Sequence, residues 1–233
     1  MTLLKGSERE RYVQDMFARI APHYDLMNRL MTFGQDAGWR REVTRRARLS
    51  SKSRLLDLGA GTGDLAAEAL RQCPSCHVVA ADFTLPMMRA GQARPVAART
   101  EWSAADAGCL PFPSGAFNAV VSGFLLRNLS DLRKGLSEQY RVLKPGGRIV
   151  ALDTTPPPRT PLAPFIRMHL HTVIPALGKL VTGKPEAYRY LPDSTEAFLE
   201  PERLAGLLIA AGFQDVGFMR LMFGTVAIHW GTK

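Results

Sequence analysis

Apolar residues near the start of the chain recur at the spacing of one helix face. They occupy positions i, i+3, i+4 and i+7, and they are Val13, Met16, Phe17 and Ile20. This spacing predicts a helix over residues 7–20 that packs on the core, with Ser7 as its N-cap.

A second helical stretch, GWRREVTRRARL, has two different sides. Its apolar side carries Trp39, Val43 and Ala47. Its basic side carries Arg41, Arg45 and Arg48. A basic run of this kind is usually a solvated face, and contact with a membrane or a polyanion is the alternative.

Short β-rich runs then alternate with helical patterns. The predicted strands are residues 54–58, 77–81, 118–122 and 148–153, and a helix begins near Asp64 after the first of them. Strands separated by helical segments imply right-handed crossovers and a mostly parallel sheet. The sequence KPGG at residues 144–147 is predicted to end the helix before the last of these strands.

The segment after the last predicted strand differs from the alternating part. Residues 156–164 are rich in proline and predict an ordered connection that leaves the sheet. The apolar stretch IRMHLHTVIPALGKLV is interrupted by Pro175, so we expect it to cover a pocket rather than to form a central strand.

The composition fits one α/β domain. The chain has 233 residues, of which 46% are hydrophobic and 22% charged, and this excludes a disordered chain. No apolar run reaches the roughly 18 residues that cross a bilayer, and no signal peptide is evident, so we expect a cytoplasmic protein. Three cysteines indicate no disulfide framework, so Cys73 and Cys76 are expected to be ordinary cysteines in a turn, and no metal site is expected.

The formal net charge of +9 indicates an anionic partner, either nucleic acid or an anionic membrane. A nucleic-acid-binding surface would need aromatic residues interleaved with the arginines of the basic helix, and only Trp39 is there. A basic nucleic-acid-binding protein is therefore the alternative of another class, and nucleic acid is not the expected partner.

The stretch DLGAGTGD, from Asp57 to Asp64, is the strongest candidate for a ligand site. Its alternate glycines are Gly59, Gly61 and Gly63. Glycines at this spacing cost backbone entropy that a close ligand contact would justify. A turn without side chains at the carboxyl end of a parallel strand is where open α/β sheets bind ligands. Both a dinucleotide and a sulfonium nucleoside fit such a loop.

Three features favour the sulfonium nucleoside. Asp64 puts a carboxylate where a pyrophosphate would approach the helix N-terminus, which is electrostatically unfavourable. Asp82 ends the next strand, where a carboxylate can accept hydrogen bonds from both ribose hydroxyls. Asp106 and Ala107, in ADAGCLPFP, suit an adenine edge.

With these motifs the chain resembles the class I S-adenosylmethionine-dependent methyltransferases, and within them the ubiquinone and menaquinone biosynthesis C-methyltransferase family. The resemblance covers nearly the whole chain, through the stretches MFARIAPHYDLMNRLMTFG, LDLGAGTGD, DAGCLPFP, LLRNLSD, YRVLKPGGR, VIPALGKLV, YRYLPDS and VAIHWGTK. The glycine loop and LKPGG are shared by many methyltransferases, whereas the N-terminal stretch, the Arg-Asn pair and YRYL are more particular.

The resemblance implies a set of cofactor contacts. S-adenosylmethionine is expected to contact Thr62, Asp82, Asp106 and Ala107. The loop residues Asp57, Gly59, Gly61 and Gly63 and the backbone of Gly123 complete the expected cofactor site. Gly123 stands where the family usually has serine, and Asp153 where it often has the longer glutamate.

The resemblance also implies methylation of a ring carbon, which requires a reduced, electron-rich ring. Arg127 is always protonated, so we assign it to stabilising the phenolate or orienting a water, with Asn128 beside it. In APHYDLMN, His23 is a candidate base, Tyr24 a partner for an aromatic hydroxyl, and Asp25 an orienting carboxylate. Alternatively, Tyr24 and Asp25 only close the pocket.

Tyr188 and Tyr190 are expected on one side of an extended segment. They either wall the ring pocket or are ordinary core aromatics.

The expected architecture is a Rossmann-like seven-stranded class I methyltransferase fold, α/β, with helices on both faces of a mostly parallel sheet. Residues 1–233 form a single domain: 1–50 are helices over the substrate pocket, 51–155 the cofactor-binding core, 156–200 the substrate cover, and 201–233 the last helix and strands. The expected reaction is S-adenosylmethionine-dependent C-methylation of a polyprenyl hydroquinone, first of all demethylmenaquinol. The ubiquinone precursor, or another small aromatic or lipid acceptor, is the alternative.

Two further partners are expected besides the quinol. One is an anionic membrane, contacted peripherally at its inner face by the arginine-rich helix. The other is a second copy of the chain in a homodimer.

Overall fold

The computed structural model describes residues 6–183 and 185–233, without the side chains of residues 7, 96, 185–187 and 189. The predicted N-cap role of the Ser7 side chain therefore lies outside the described residues. The predicted alternation of strands and helices produces one seven-stranded sheet. Its strands are β1 (Arg54–Leu58), β2 (His77–Asp82), β3 (Thr100–Ala104), β4 (Phe117–Gly123), β5 (Leu143–Thr154), β6 (Gln214–Leu221) and β7 (Val226–Thr232).

The spatial order of the strands is β3–β2–β1–β4–β5–β7–β6. Strands β1 to β5 pair in parallel, and β7 runs antiparallel to both of its neighbours. From β1, strands β2 and β3 are added on one side of the sheet, and β4 and β5 on the other. The topological switch point therefore lies between β1 and β4.

Ten α-helices are present in the described part of the chain. They are α1 (Gly6–Ile20), α2 (Tyr24–Met31), α3 (Asp36–Arg46), α4 (Asp64–Gln72), α5 (Leu85–Gln92), α6 (Leu132–Val142), α7 (Ala163–Met168), α8 (Ile174–Thr182), α9 (Pro185–Glu196) and α10 (Pro201–Ala210). A five-residue π-helical turn joins α7 to α8. None of the described helices is both long and apolar enough to cross a membrane.

The core lies on both faces of the sheet because successive strand residues point in opposite directions. On one face, Leu55 packs with the buried sides of α3 and α4. On the other face, Leu56 and Leu58 pack with α6 and α10. A third cluster joins α1 and α2 to α8 and α9, and its buried members are Ile20, Met27, Met31, Leu170, Ile174 and Tyr188.

The two predicted N-terminal helices are confirmed as α1 and α3. The apolar residues of α1 are buried or half-buried, and Trp39, Val43 and Ala47 of the α3 region are buried. The helix before β5 ends at Val142, so KPGG lies beyond it, where the pairing of β4 with β5 shifts register.

The expectation of two unpaired cysteines was wrong. Cys73 and Cys76 are joined by a disulfide, because the turn between α4 and β2 brings their Cα atoms to 5.5 Å.

The basic side of α3 does not lie where the ligand cavities are. Arg45 and Arg46 both pair with Glu42. The carbonyl oxygen of Arg46 accepts a hydrogen bond from Arg148, near the start of the paired part of β5. The basic end of α3 is therefore at the edge of the sheet opposite the carboxyl ends of the parallel strands.

Candidate functional site

Two neighbouring cavities lie at the carboxyl ends of the parallel strands. The first, of about 330 Å³, is bordered by the ends of β1, β2 and β4 at the switch point, and we call it the cofactor cavity. The second, of about 380 Å³, lies between α1, α2, the segment from residue 154 to 195, and the turn before β7, and we call it the substrate cavity. Phe17, Tyr24 and Phe124 line both cavities, so the two share an aromatic boundary.

The glycine loop forms the floor of the cofactor cavity. Gly59 and Gly61 line it, with φ of 69° and 57°, a region in which only glycine is unstrained. A Cβ on Gly59 would lie 2.9 Å from the Leu125 side chain. The backbone N–H groups of Gly59 and Ala60 both donate to the carbonyl oxygen of Ala81, which joins the loop to the end of β2. The loop therefore leaves its surface open to a ligand because no side chain fits there.

Asp82 lies on the wall of this cavity, as its place at the end of β2 predicts. Its Oδ2 accepts a hydrogen bond from the Gly61 N–H at 2.7 Å, and its Oδ1 accepts one from the Thr84 N–H at 2.7 Å. Burial raises the pKa of this carboxyl, and the hydrogen bonds from Thr84 and Gly61 oppose that rise. Each oxygen keeps a lone pair that can accept a ligand hydroxyl.

Three further predicted cofactor residues also reach the cavity. Asp106, Ala107 and Gly123 line it. Asp106 is exposed, and its Oδ1 accepts a hydrogen bond from the Gly108 N–H at 2.8 Å. Sequence reasoning missed several apolar side chains of the same wall, because single apolar residues near strand ends and in helices carry no motif; these are Leu58, Phe83, Met87 and Leu125.

The other predicted cofactor residues support the loop from behind. Among the described lining residues of both cavities, Asp57, Thr62 and Gly63 are absent. Asp57 Oδ2 accepts a hydrogen bond from the Ala66 N–H in the first turn of α4, and a Cβ on Gly63 would lie 2.9 Å from the Trp102 ring. Asp57 and Gly63 support the loop at the junction of β1, α4 and β3, and the Thr62 hydroxyl bonds to Asp25 of α2. Direct contact of these three residues with the cofactor stays a prediction.

Asp64 is not the bare carboxylate that its place in the sequence suggested. Its two carboxylate oxygens pair with Arg40 at 2.8 Å and with Arg94 at 2.6 Å. A carboxylate held between two guanidinium groups does not repel a phosphate as a free one does, so Asp64 does not by itself exclude a dinucleotide.

The same network fastens α2 to the glycine loop. Thr62 Oγ1 donates to Asp25 Oδ1 at 2.7 Å, and Arg94 donates both to the Thr62 carbonyl oxygen and, at 3.4 Å, to Asp25. These contacts tie α2, the helix that carries Tyr24, to the glycine loop through Asp25. His23 is exposed and lines neither cavity. The structure thus brings Tyr24 to the cavities, and it brings neither His23 nor the Asp25 carboxylate.

Arg127 lies on the wall of the otherwise mostly apolar substrate cavity. It is buried, its Nη1 donates to Asp153 Oδ1 at 2.5 Å, and the Phe124 ring centroid lies 5.2 Å from its guanidinium carbon. Its Nε has no hydrogen-bond partner among the described residues. The cation is thus held in place from one side.

Phe124 holds the boundary between the cavities in a strained backbone conformation. Its φ is 59°, which a bulky side chain rarely adopts. Its N–H donates to the carbonyl oxygen of Leu152 at 2.7 Å, and its carbonyl oxygen accepts from Asn128 Nδ2 at 2.9 Å. Strain of this kind persists only where surrounding contacts impose it, and it is frequent at functional sites.

Polar groups surround the boundary at Tyr24. Burial raises the pKa of the Tyr24 hydroxyl, and the neighbouring Asn28 amide and the Arg127 charge oppose that rise. Asn128 lines the cofactor cavity, and its Oδ1 accepts from the Tyr190 hydroxyl at 3.0 Å. Tyr188 and Tyr190 both line the substrate cavity, but they lie on helix α9 and not on an extended segment.

Asn28 is a site residue that sequence reasoning missed. It lies one helical turn after Tyr24, lines the substrate cavity and is only 7% exposed. Its amide Nδ2 has no hydrogen-bond partner in the described part of the chain. A buried donor without a partner is costly, so a ligand group is the natural acceptor. The helical spacing from Tyr24 was the available signal.

A seven-stranded sheet of this order, with a glycine loop after β1 and a carboxylate at the end of β2 beside an open cavity, defines a Rossmann-like S-adenosylmethionine-dependent methyltransferase. A methyltransferase of this class from Thermotoga maritima has the same fold, with a TM-score of 0.67 at 16% identity over 95% of this chain and 99% of the other. A phosphoethanolamine N-methyltransferase from Haemonchus contortus, solved with S-adenosyl-L-methionine, matches with a TM-score of 0.64 at 16% identity over 84% of this chain and 52% of the other.

The chain belongs to the ubiE/COQ5 methyltransferase family, whose model matches residues 5–233. It is 47% identical over 222 residues to the demethylmenaquinone methyltransferase of Thermus thermophilus, covering 94% of this chain and 100% of the relative. It is 45% identical over 221 residues to the ubiquinone/menaquinone biosynthesis C-methyltransferase UbiE of Desulfotalea psychrophila, covering 95% and 90%. The predicted family, fold and cofactor are thereby confirmed.

Proposed function

We propose that this methyltransferase C-methylates the ring of a polyprenyl hydroquinone, with demethylmenaquinol as its first substrate, in menaquinone biosynthesis. The names of the relatives support this choice. The single observation that carries it is a large apolar cavity, joined to the cofactor cavity at an aromatic boundary, with one guanidinium group buried in its wall. An apolar isoprenoid with one acidic phenolic ring has the matching chemistry.

The residues of the cofactor cavity fit S-adenosylmethionine, which when bound supplies a methyl group on a sulfonium centre. Asp82 accepts hydrogen bonds from the ribose hydroxyls, for which its two buried oxygens each keep a lone pair. Gly59 and Gly61 let the ligand approach the backbone closely. Asp106 and Ala107 border the adenine.

The residues of the substrate cavity lower the barrier to ring attack. Loss of a phenolic proton loads negative charge onto the attacking carbon, and Arg127 stabilises the resulting phenolate. Because burial raises the pKa of Tyr24, its hydroxyl stays protonated and donates a hydrogen bond to the substrate oxygen. The Asn28 amide, beside the Tyr24 hydroxyl in the same cavity, is a second donor on the same helix. We infer that a water ordered by Arg127 in the substrate cavity takes the phenolic proton.

The experiment that tests this function measures methyl transfer from S-adenosylmethionine to a panel of acceptors. The panel holds reduced and oxidised short-chain demethylmenaquinone, the ubiquinone precursor, a flavonol and RNA. We expect a methylated product from the reduced naphthoquinol only, or from it and the reduced ubiquinone precursor. Equal turnover of the oxidised quinone would overturn the mechanism. A product from RNA alone would favour the nucleic-acid alternative.

The proposal also covers where the protein acts and whether it forms a dimer. We propose that the protein works on the cytoplasmic side of an anionic membrane, where a polyprenyl substrate is dissolved, and that it forms a homodimer. Support for membrane contact comes from the net charge of +9. Sedimentation velocity, with and without anionic vesicles, tests both points.

A further inference from the structure

Large apolar side chains surround the mouth of the substrate cavity and are open to solvent. We call this set the apolar rim. Its members all line the cavity, and they are Phe33, Leu162, Phe165 and Phe223, exposed by 71%, 49%, 67% and 72%. They come from three separate parts of the chain: the turn after α2, the first turn of α7 with the residue before it, and the turn before β7. A surface of this kind marks an interaction site.

Two members of the apolar rim are held outward by a strained backbone. Phe33 has φ of 53° and Phe223 has φ of 55°, a region that aromatic residues rarely adopt. The Phe33 ring stacks on His169, with ring centroids 5.4 Å apart, and the Nε2 of His169 lies 3.3 Å from the Met31 carbonyl oxygen. The outward position of Phe33 is therefore fixed by its neighbours. Neither the burial of its own ring nor backbone preference explains it.

The two chain segments that carry most of the apolar rim have basic side chains and no acidic ones of their own, and Glu196 from α9 reaches the second segment at His171. Residues 26–35 and 154–182, which carry three of its four members, contain no aspartate or glutamate. They contain four basic residues, which are Arg29, Arg159, Arg167 and Lys179. The described carboxylates form no ion pair with any of these four.

We propose that the apolar rim inserts into the surface of an anionic lipid bilayer, with these four basic residues against the lipid headgroups. The proposal rests on the proposed function, since a polyprenyl substrate can then pass from the bilayer into the cavity without crossing water. Aromatic side chains flanked by basic residues are the composition that binds an anionic membrane interface. The end of α3 that carries Arg45 and Arg46 lies near Arg148, at the edge of the sheet opposite the cavities.

Vesicle sedimentation tests the surface without any turnover. The intact protein is mixed at low salt with vesicles of phosphatidylcholine, or of phosphatidylcholine with phosphatidylglycerol, that contain no quinol. The apolar variant is the double change Phe165→Ser and Phe223→Ser, and its matched control is Ile209→Ser, an exposed apolar residue of α10 outside the rim. The basic variant is Arg159→Ala with Arg167→Ala, and its matched control is Arg41→Ala with Arg45→Ala on α3.

We expect the wild-type protein to bind the anionic vesicles and not the neutral ones. Both rim-side variants should weaken the partition coefficient by about tenfold or more, and both controls by less than twofold. Binding that is lost in the α3 variant and kept in the rim-side variants would overturn the proposal. So would wild-type protein that binds neither vesicle.

Two further measurements distinguish membrane binding from dimerisation through the apolar rim and from failure of the proposed function. Sedimentation velocity without lipid shows whether the apolar rim joins two copies of the chain. A dimer that dissociates in the Phe165→Ser and Phe223→Ser variant, with vesicle binding unchanged, would replace the membrane by a second copy. Methyl transfer to a water-soluble short-chain quinol is measured separately. If the wild-type protein shows no such activity, the proposed function is contradicted, whereas the vesicle experiment still tests the membrane surface.

Discussion

The guanidinium Nη1 of Arg127 lies 2.5 Å from the Asp153 Oδ1, and both side chains are buried. Arg127 lies in the turn after β4, and Asp153 is the next-to-last residue of β5. The Asp153 carboxylate also accepts hydrogen bonds from the backbone N–H groups of Arg127 and Thr154. The pair therefore joins two neighbouring strand ends and fixes a cation in the wall of the substrate cavity.

Replacement of Arg127 should affect turnover more than cofactor binding. We expect Arg127→Ala to lower kcat by about 10²- to 10³-fold, because an electrostatic partner of the developing phenolate is lost. Arg127→Lys should recover only part of the rate, since a point charge lacks the planar fork. Steady-state methyl transfer with the reduced quinol, together with calorimetry for S-adenosylmethionine, measures both effects.

A control is needed because Arg127→Ala leaves the Asp153 carboxylate buried without its partner. Breaking a buried pair in this way costs about 3 to 5 kcal/mol of stability. The double variant Arg127→Met with Asp153→Leu removes both charges and should regain most of that stability without regaining activity. Near-normal turnover in either variant would remove Arg127 from the mechanism.

Asp82 and Thr62 should differ in their effect on cofactor affinity. Asp82→Asn should weaken S-adenosylmethionine binding by roughly one to two orders of magnitude, because charged hydrogen bonds to the ribose are lost. Thr62→Val should change the affinity for S-adenosylmethionine by less than threefold. It should lower the melting temperature, because the Thr62 hydroxyl bonds to Asp25. Calorimetry and thermal unfolding distinguish the two roles. A large loss of affinity in Thr62→Val would return Thr62 to the cofactor site.

Asn28 should act on the quinol. We expect Asn28→Leu to raise the KM for the quinol about tenfold, since the free amide donor in the cavity is lost, and to leave the cofactor dissociation constant within twofold. Thr44→Val is the matched control, because Thr44 is also buried with an unpartnered hydroxyl but lines neither cavity. An equal rise of KM in both variants would indicate a general packing effect.

Stability should depend on pH through Asp57. Burial raises the pKa of this carboxyl to about 7, with the Asp82 and Asp64 charges adding to the rise and the Ala66 N–H opposing it. In the unfolded chain the same group ionises near pH 4. Between about pH 4 and pH 7 the folded protein therefore holds a proton that the unfolded chain has released, so the free energy of unfolding falls as the pH rises through this window.

The change Asp57→Asn should remove that contribution. The slope of the unfolding free energy against pH should become smaller by up to about 1.4 kcal/mol per pH unit in this window. Urea unfolding of wild type and variant at pH 5 and pH 8 measures it. Parallel pH profiles for the two proteins would show that Asp57 ionises at its ordinary pKa.

Local sequence determined the parts of this protein that depend on neighbouring residues. A strand that ends at Asp57, three alternate glycines and a helix start are consecutive in the chain, so the loop could be predicted. Asp82 could be predicted for the same reason, because a residue at the end of a parallel strand lies at the ligand edge whichever helices pack around it. The family motifs added the cofactor and the substrate class.

Tertiary structure alone decided which charges are free. Asp64 follows the glycine loop and could be taken as a bare carboxylate, but Arg40 of α3 and Arg94 from the loop after α5 pair with it. The basic run of α3 suggested a membrane contact, and only the packing of the helix shows that its last residues lie beside Arg148, at the edge of the sheet away from the cavities. The pairs of Asp64 with Arg40 and Arg94 join residues that are distant in the sequence, so no periodicity marks them and only the packing of the elements brings them together.

The same reason explains the substrate side. Phe33, Phe165 and Phe223 are separated by more than 50 residues from one another, and none of them stands in a pattern that marks a surface. They meet at one cavity mouth because α2, α7 and the turn before β7 all lie over the carboxyl ends of β4 and β5. The positive φ of Phe33 and Phe223 is a property of the folded backbone. The cofactor loop could therefore be predicted from consecutive residues, whereas the surface at the mouth of the substrate cavity could not.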